Sequence, residues 1–206
     1  TFVNTLQFSP DILIEANSDA TEMFSSTYHE LSHYSHAIRR GSNFWSQVVY
    51  AESYNYQKYK DPYYNGQQPT TSYAQKIALA ESWAFFMEIK IDNYFGAKYS
   101  LEDFQPLTIP SFVSFNEGWI PIGLYWDLID DKIDKIYLYS SNNQTTPLVT
   151  YTDYINGNYY GITINKLYNL LIQSDCNTLI DYKNNLKTVF TGASADISLL
   201  FNVYGY

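Results

Sequence analysis

His29-Glu30-Leu31-Ser32-His33 puts two imidazoles four residues apart with a carboxylate beside the first. On a helix, residues i and i+4 lie on one face a turn apart, so both rings can point at a single ion, as zinc prefers. Glu30 would then reach a water on that ion and act as general base. Two histidines do not complete a catalytic zinc site, which needs three protein ligands and an open position. One extended pattern adds a third histidine six residues after the second, past a glycine, but Arg39 and His36 occupy those places. His36 lies about two turns from His29, roughly 10 Å of rise, too far to share the ion. It reads as a neighbour of the ligands or a surface residue.

The third ligand is therefore expected to be a carboxylate on another helix. Glu81, in Ala80-Glu81-Ser82-Trp83-Ala84, is the stronger candidate, since a lone acid among apolar residues is unfavourable unless it is paired or metal-bound. Its small neighbours allow two helices to approach. Glu88, two turns further along the same face, is the rival.

The elements that position these residues follow from periodicity. A helix is expected over 19–40, opened by Asp19 with Glu22 three residues on and closed by Gly41 after Arg39 and Arg40. Further helices are expected over 43–59, 72–94, 121–135, 163–173, 176–190 and 195–203. Asp11-Ile12-Leu13-Ile14-Glu15 alternates as a short strand does, and 136–162 is a polar, tyrosine-rich excursion with strand potential. The expectation is a mostly helical α+β protein. A seam near 105, beside Pro106 and Pro110, divides a zinc-binding N-terminal lobe (1–105) from a helical C-terminal lobe (106–206), packed together as one catalytic unit.

Composition narrows the function. The 206 residues are 46% hydrophobic and 18% aromatic, which fills a core and excludes a disordered chain. No stretch reaches the ~20 apolar residues of a membrane span; 77–91 is interrupted by Glu81 and Glu88. A net charge of −9 disfavours nucleic acid as a partner. The single Cys176 cannot form an internal disulfide, and its neighbour Asp175 disfavours a thiolate. Asp130, Asp131 and Asp134 lack the spacing of a calcium loop and read as a solvated helix face. The 22 tyrosines, in runs such as Tyr63-Tyr64-Asn65-Gly66, suit wet aromatic loops or a surface that stacks on sugars or extended peptide. Beginning at Thr1 rather than Met, the chain reads as a processed or excised form.

His29-Glu30-x-x-His33 followed by Glu81 in an E-x-W-A setting resembles the gluzincin clan of zinc metallopeptidases, the thermolysin-like set of two His and one Glu. With Asn43-Phe44-Trp45 between them, these segments are similar to secreted or lipoprotein metallopeptidases of gut bacteria, over roughly residues 20–135. The resemblance implies a zincin-like fold with an active-site helix and a second ligand-bearing helix. It also implies zinc on His29, His33 and Glu81, Glu30 as base, a peptide or protein substrate, and a secreted or surface-anchored location. Leu124-Tyr125-Trp126-Asp127-Leu128 is similar to a helix that follows the zinc helices in such peptidases; Asp127 would orient a ligand histidine or else be a solvated acid.

The chain departs from the clan in having no histidine after His36 to stabilise the oxyanion, so a tyrosine must serve, with Tyr125 and residues 151–160 as candidates. The expected function is a zinc-dependent peptidase. The alternatives are a catalytically degenerate zinc module that binds glycan or extended peptide through tyrosines, and a purely structural zinc site, for which no fourth ligand is evident.

Overall fold

In the computed structural model, which describes residues 20–63, 72–94, 120–121, 123–130, 135–138, 149–152 and 155–206, the HExxH segment lies mid-helix. Helix α1 (Ala20–Arg40) and helix α2 (Ser42–Tyr59) are divided by one residue, Gly41. Gly41 has φ 81°, a left-handed conformation that side chains resist, and its N–H donates to Ala37 O at 2.8 Å. The chain therefore stops and restarts without a loop. At the far end of α2, Lys60 adopts φ 62° and the buried Asn55 side chain donates to Pro62 O, fixing the exit.

Helix α3 (Ser72–Tyr94) is the centre of the molecule. Every residue from Ala74 to Ala84 is buried, so it is covered on all sides, as an apolar helix inside a larger core must be. It packs most extensively against α1, and also against α2 and against two elements from the second half of the chain, α4 (Leu124–Asp127) and α7 (Leu179–Val189). Leu79, Trp83 and Phe86 carry the aromatic core: Trp83 meets Tyr125 at 5.2 Å and stacks on Tyr168 at 5.6 Å, and Tyr125 meets Tyr182 at 5.5 Å.

Among the described residues, helices α5 (Gly157–Tyr160), α6 (Ile164–Leu171) and α8 (Ser194–Val203) and a 3-10 turn (Thr191–Ala193) complete the helical part. Asn156, Thr163 and Thr178 cap α5, α6 and α7, each side chain accepting from the backbone N–H three residues on. Gly157 is obligatory, because a Cβ there would lie 2.3 Å from Leu128 O. Tyr168 donates to Ser35 O, and Arg40 donates to Cys176 O and Asn177 Oδ1, so the C-terminal helices are tied to α1.

The described residues are mostly helical, as expected. Among the described residues one antiparallel ladder pairs strand β1 (Lys135–Leu138) with strand β2 (Val149–Thr152), with Lys135 opposite Thr152. Among the described residues, the helix expected over 121–135 is confined to α4, and Lys135 belongs to β1. Acidic residues crowding toward a helix C-terminus oppose its dipole, and the Asp130 carbonyl instead accepts from Gly157 N. Asp130 is buried, contrary to the solvated face expected of it; Asp131 and Asp134 lie outside the described residues, as do the expected strand over 11–15, the Asp19 cap and the seam near 105. No helix among the described residues is long and apolar enough to cross a membrane.

Candidate metal centre

Helices α1 and α3 run antiparallel and meet along a polar seam. Ser25 donates to Asp92, His29 Nδ1 lies 3.0 Å from Glu88 Oε2, and both histidines converge on Glu81. The four- and seven-residue spacings produce this seam, since they keep His29 and His33, and Glu81 and Glu88, on facing stripes of two helices.

The three expected ligands come together. His29 Nε2 lies 3.3 Å from Glu81 Oε2, His33 Nε2 lies 3.2 Å from Glu81 Oε1, and the two Nε2 atoms are 3.0 Å apart. Tetrahedral zinc with bonds of about 2.1 Å separates its ligand atoms by roughly 3.4 Å, so one ion fits among them with small adjustments. Glu81 is 3% exposed and its Oε2 has no well-formed hydrogen bond. A carboxylate sealed from water and facing two imidazoles offers the donor set that a cation site requires. Two nitrogens and one oxygen form a group that could hold a metal ion, and such donors suit zinc.

Electrostatics agree. Burial alone would push the Glu81 carboxyl up, but the His33 charge and hydrogen bonds from both histidines hold it well below the usual carboxylate range. Burial opposes charge on His29 as well, yet its hydrogen bonds to Glu81 and Glu88 push its imidazole up to about 9. The seam is thus a set of anions that recruits positive charge onto a histidine.

Glu88, the rival ligand, takes another place. It holds Nδ1 of His29, the nitrogen on the far side of the ring, which orients the ring so that Nε2 faces Glu81 and His33. Phe85 packs edge-on against His29 at 4.5 Å and Trp45 against His33 at 5.2 Å, so both rings are clamped. Trp45 also meets His36. His36 is fully buried against Phe44 and Trp45, which overturns the surface reading and leaves it a core neighbour of the ligands.

Other expectations change. The buried Asp127 accepts from Tyr204 Oη at 2.5 Å, while His29 Nδ1 is held by Glu88 and His33 Nδ1 has no hydrogen bond, so Asp127 orients neither histidine. Tyr125 is fully buried against Trp83 and Phe86, on the side of α3 opposite Glu81, and burial pushes its hydroxyl up. It is not the oxyanion donor. Tyr160 Oη donates to Asp196 and Tyr159 is exposed, while the side chains of 151–154 lie outside the described residues. Cys176 is buried, and burial pushes its thiol up to about 12, which removes it as a nucleophile.

The sequence reading missed Glu52. It follows Val48 by one turn and precedes Asn55 by three residues, both buried on α2, and it is itself half-buried. Burial and the nearby charges of Glu81 and Glu30 push its carboxyl up to about 8. The available signal was an acid at the edge of a helix's apolar stripe.

A comparison with protein-family models, with curated proteins and with solved structures finds no match. The site's geometry alone carries the functional argument.

Proposed function

We propose that the chain is a zinc-dependent metallopeptidase of the gluzincin type with a zincin-like arrangement of its two ligand helices. The observation that carries this reading is the buried Glu81 carboxylate of α3 aimed at the Nε2 atoms of His29 and His33 on α1, the helix that also bears Glu30. His29, His33 and Glu81 would hold the ion. An ion so held polarises a carbonyl and lowers the pKa of a water it binds. Glu30, one residue from His29, would serve as the general base, accepting a proton from the attacking water and returning it to the leaving amine. Glu88, Phe85 and Trp45 keep the rings in the orientation that binding requires.

The test separates binding from chemistry. Glu30→Gln should retain one equivalent of zinc by elemental analysis and lose about 10²–10⁴-fold in peptide hydrolysis. Zinc retained with unchanged hydrolysis would reject Glu30 as base, and no zinc in the metal-replenished wild type would reject the site.

The sealed Tyr125 and the engaged Tyr160 favour a second reading, a catalytically degenerate zinc module that binds extended peptide or glycan. Stoichiometric capture of peptide without products would support it. Cleavage abolished by chelator supports the peptidase.

A further inference from the structure

The two ligand histidines are held unequally. His29 has its outer nitrogen on Glu88, whereas Nδ1 of His33 is buried without a hydrogen bond among the described residues. A neutral histidine that binds an ion through Nε2 carries its proton on Nδ1, so Nδ1 of His33 must donate. A donor sealed from both water and an acceptor is unfavourable.

Three rings share this need. Trp45 packs edge-on against His33 and against His36, with ring centroids at 5.2 Å and 5.4 Å. Its Nε1 is sealed and has no hydrogen bond, and the same holds for both nitrogens of the fully buried His36. The Leu171 carbonyl approaches His36 without a well-formed hydrogen bond. No acid among the described residues forms an ion pair with His36, and burial disfavours charge, so its ring is neutral, with one N–H and one lone pair.

The cluster therefore holds two obligatory donors, His33 Nδ1 and Trp45 Nε1, and one acceptor, the His36 lone pair. One lone pair cannot serve both donors, and an indole N–H accepts nothing. A single water matches the set, because it accepts two hydrogen bonds and donates a third. Resting on the metal site of the peptidase reading, we infer that His36 and Trp45 are positioning residues that hold Nδ1 of His33 through one shared buried water. They do for His33 what Glu88 does for His29, but they supply direction without charge.

Four variants test this, with zinc affinity read by competition against a chelator and folding read by the unfolding midpoint in chelator. His36→Leu fills the space without a polar atom; His36→Asn and His36→Gln keep an acceptor; Trp45→Phe keeps a ring and removes the N–H. His36→Leu should lose about tenfold in zinc affinity, and His36→Asn or His36→Gln should recover most of it. Trp45→Phe should lose less, in the same direction. In cobalt-loaded protein, each ligand Nδ1–H gives its own paramagnetically shifted proton signal. The His33 signal should move in His36→Leu and Trp45→Phe while the His29 signal, held by Glu88, stays. Wild-type affinity in His36→Leu, an equal loss in its Leu, Asn and Gln variants, or an unmoved His33 signal would overturn the assignment. Should His36→Leu fail to fold, an unmoved His33 signal in Trp45→Phe overturns it just as well. A wild type that takes up neither zinc nor cobalt would instead reject the metal site beneath it.

Discussion

Helix α3 has two faces with opposite chemistry. Toward α1 it presents Glu81, Glu88 and Asp92 to His33, His29 and Ser25; on the opposite side Leu79, Trp83 and Phe86 meet Tyr125, Tyr168 and Tyr182. The aromatic face stabilises by being buried, at about 25 cal/mol per Å² of apolar surface, and requires no partner of a particular charge. The carboxylate face is unfavourable when buried unless positive charge meets it. Placing both on one rigid element lets the first hold the second in a geometry it would not keep by itself.

The largest effect should come from the aromatic face. Phe86→Ala removes a fully buried ring, and the loss should be about 3–5 kcal/mol of unfolding free energy in a urea titration. Zinc stoichiometry per folded molecule should stay at one. A folded variant that no longer takes zinc would mean that the two faces are not separable.

The carboxylate face should behave in reverse. Zinc at a hundredfold excess over its Kd should add about 2.7 kcal/mol to wild-type stability and much less to Glu81→Gln. In chelator the same variant should be less stable than wild type, because Glu81 is paired with both histidines and its loss leaves a buried imidazolium short of an anion. If zinc stabilises Glu81→Gln as much as it stabilises wild type, Glu81 does not hold the ion and the contrast between the faces fails.

A smaller effect, at the edge of the seam, is set by pH. His36 is buried with neither ring nitrogen in a well-formed hydrogen bond; burial, with the charges of His33 and Arg40, pushes its imidazole down to about 3. The unfolded chain binds that proton near 6.5 and the folded one resists it. Stability from this group is therefore complete above pH 6.5 and declines as pH falls toward 3, by about 2 kcal/mol between pH 7 and 5. Other groups titrate too, and His29, with its imidazole raised, has the opposite sign and loses its contribution as pH climbs toward 9. The difference between wild type and His36→Leu isolates the term: measured at pH 7 and at pH 5, it should move by those 2 kcal/mol in favour of the variant. A pH-independent difference would show that His36 charges without penalty.

The meeting of His29, His33 and Glu81 was legible in the sequence because His29 and His33 share a face through their spacing, and Glu81 stands out as an acid among small apolar residues. The helices over 19–40, 43–59 and 72–94 were legible for the same reason, and Gly41 marked their division. What escaped depends on contacts between distant segments. Glu52 becomes notable only when α2 folds back past Gly41 and brings it near Glu30 and Glu81. Asp127 looked like a partner for histidine, but its partner is Tyr204, 77 residues away. The helix over 121–135 was overextended because the demand of Gly157 for the Asp130 carbonyl is invisible to local periodicity.

The finest test of the contrast concerns Glu88, which spans its meaning: it is on the carboxylate face yet touches no expected open position. Its Oε2 accepts from His29 Nδ1 at 3.0 Å, so its contribution is to hold a ring and raise the basicity of the opposite nitrogen. Glu88→Gln keeps a carbonyl acceptor at that site and loses only the charge. Zinc affinity should therefore fall by about tenfold, the low end of the 10–100-fold range for such partners, while Glu88→Leu should fall further. Hydrolysis by the zinc-saturated Gln variant should remain close to wild type, because Glu30 and the three ligands are untouched. A Glu88→Gln protein that binds zinc as tightly as wild type would show that Phe85 and Trp45 clamp the rings unaided, and that charge on this face matters only where it meets the ion.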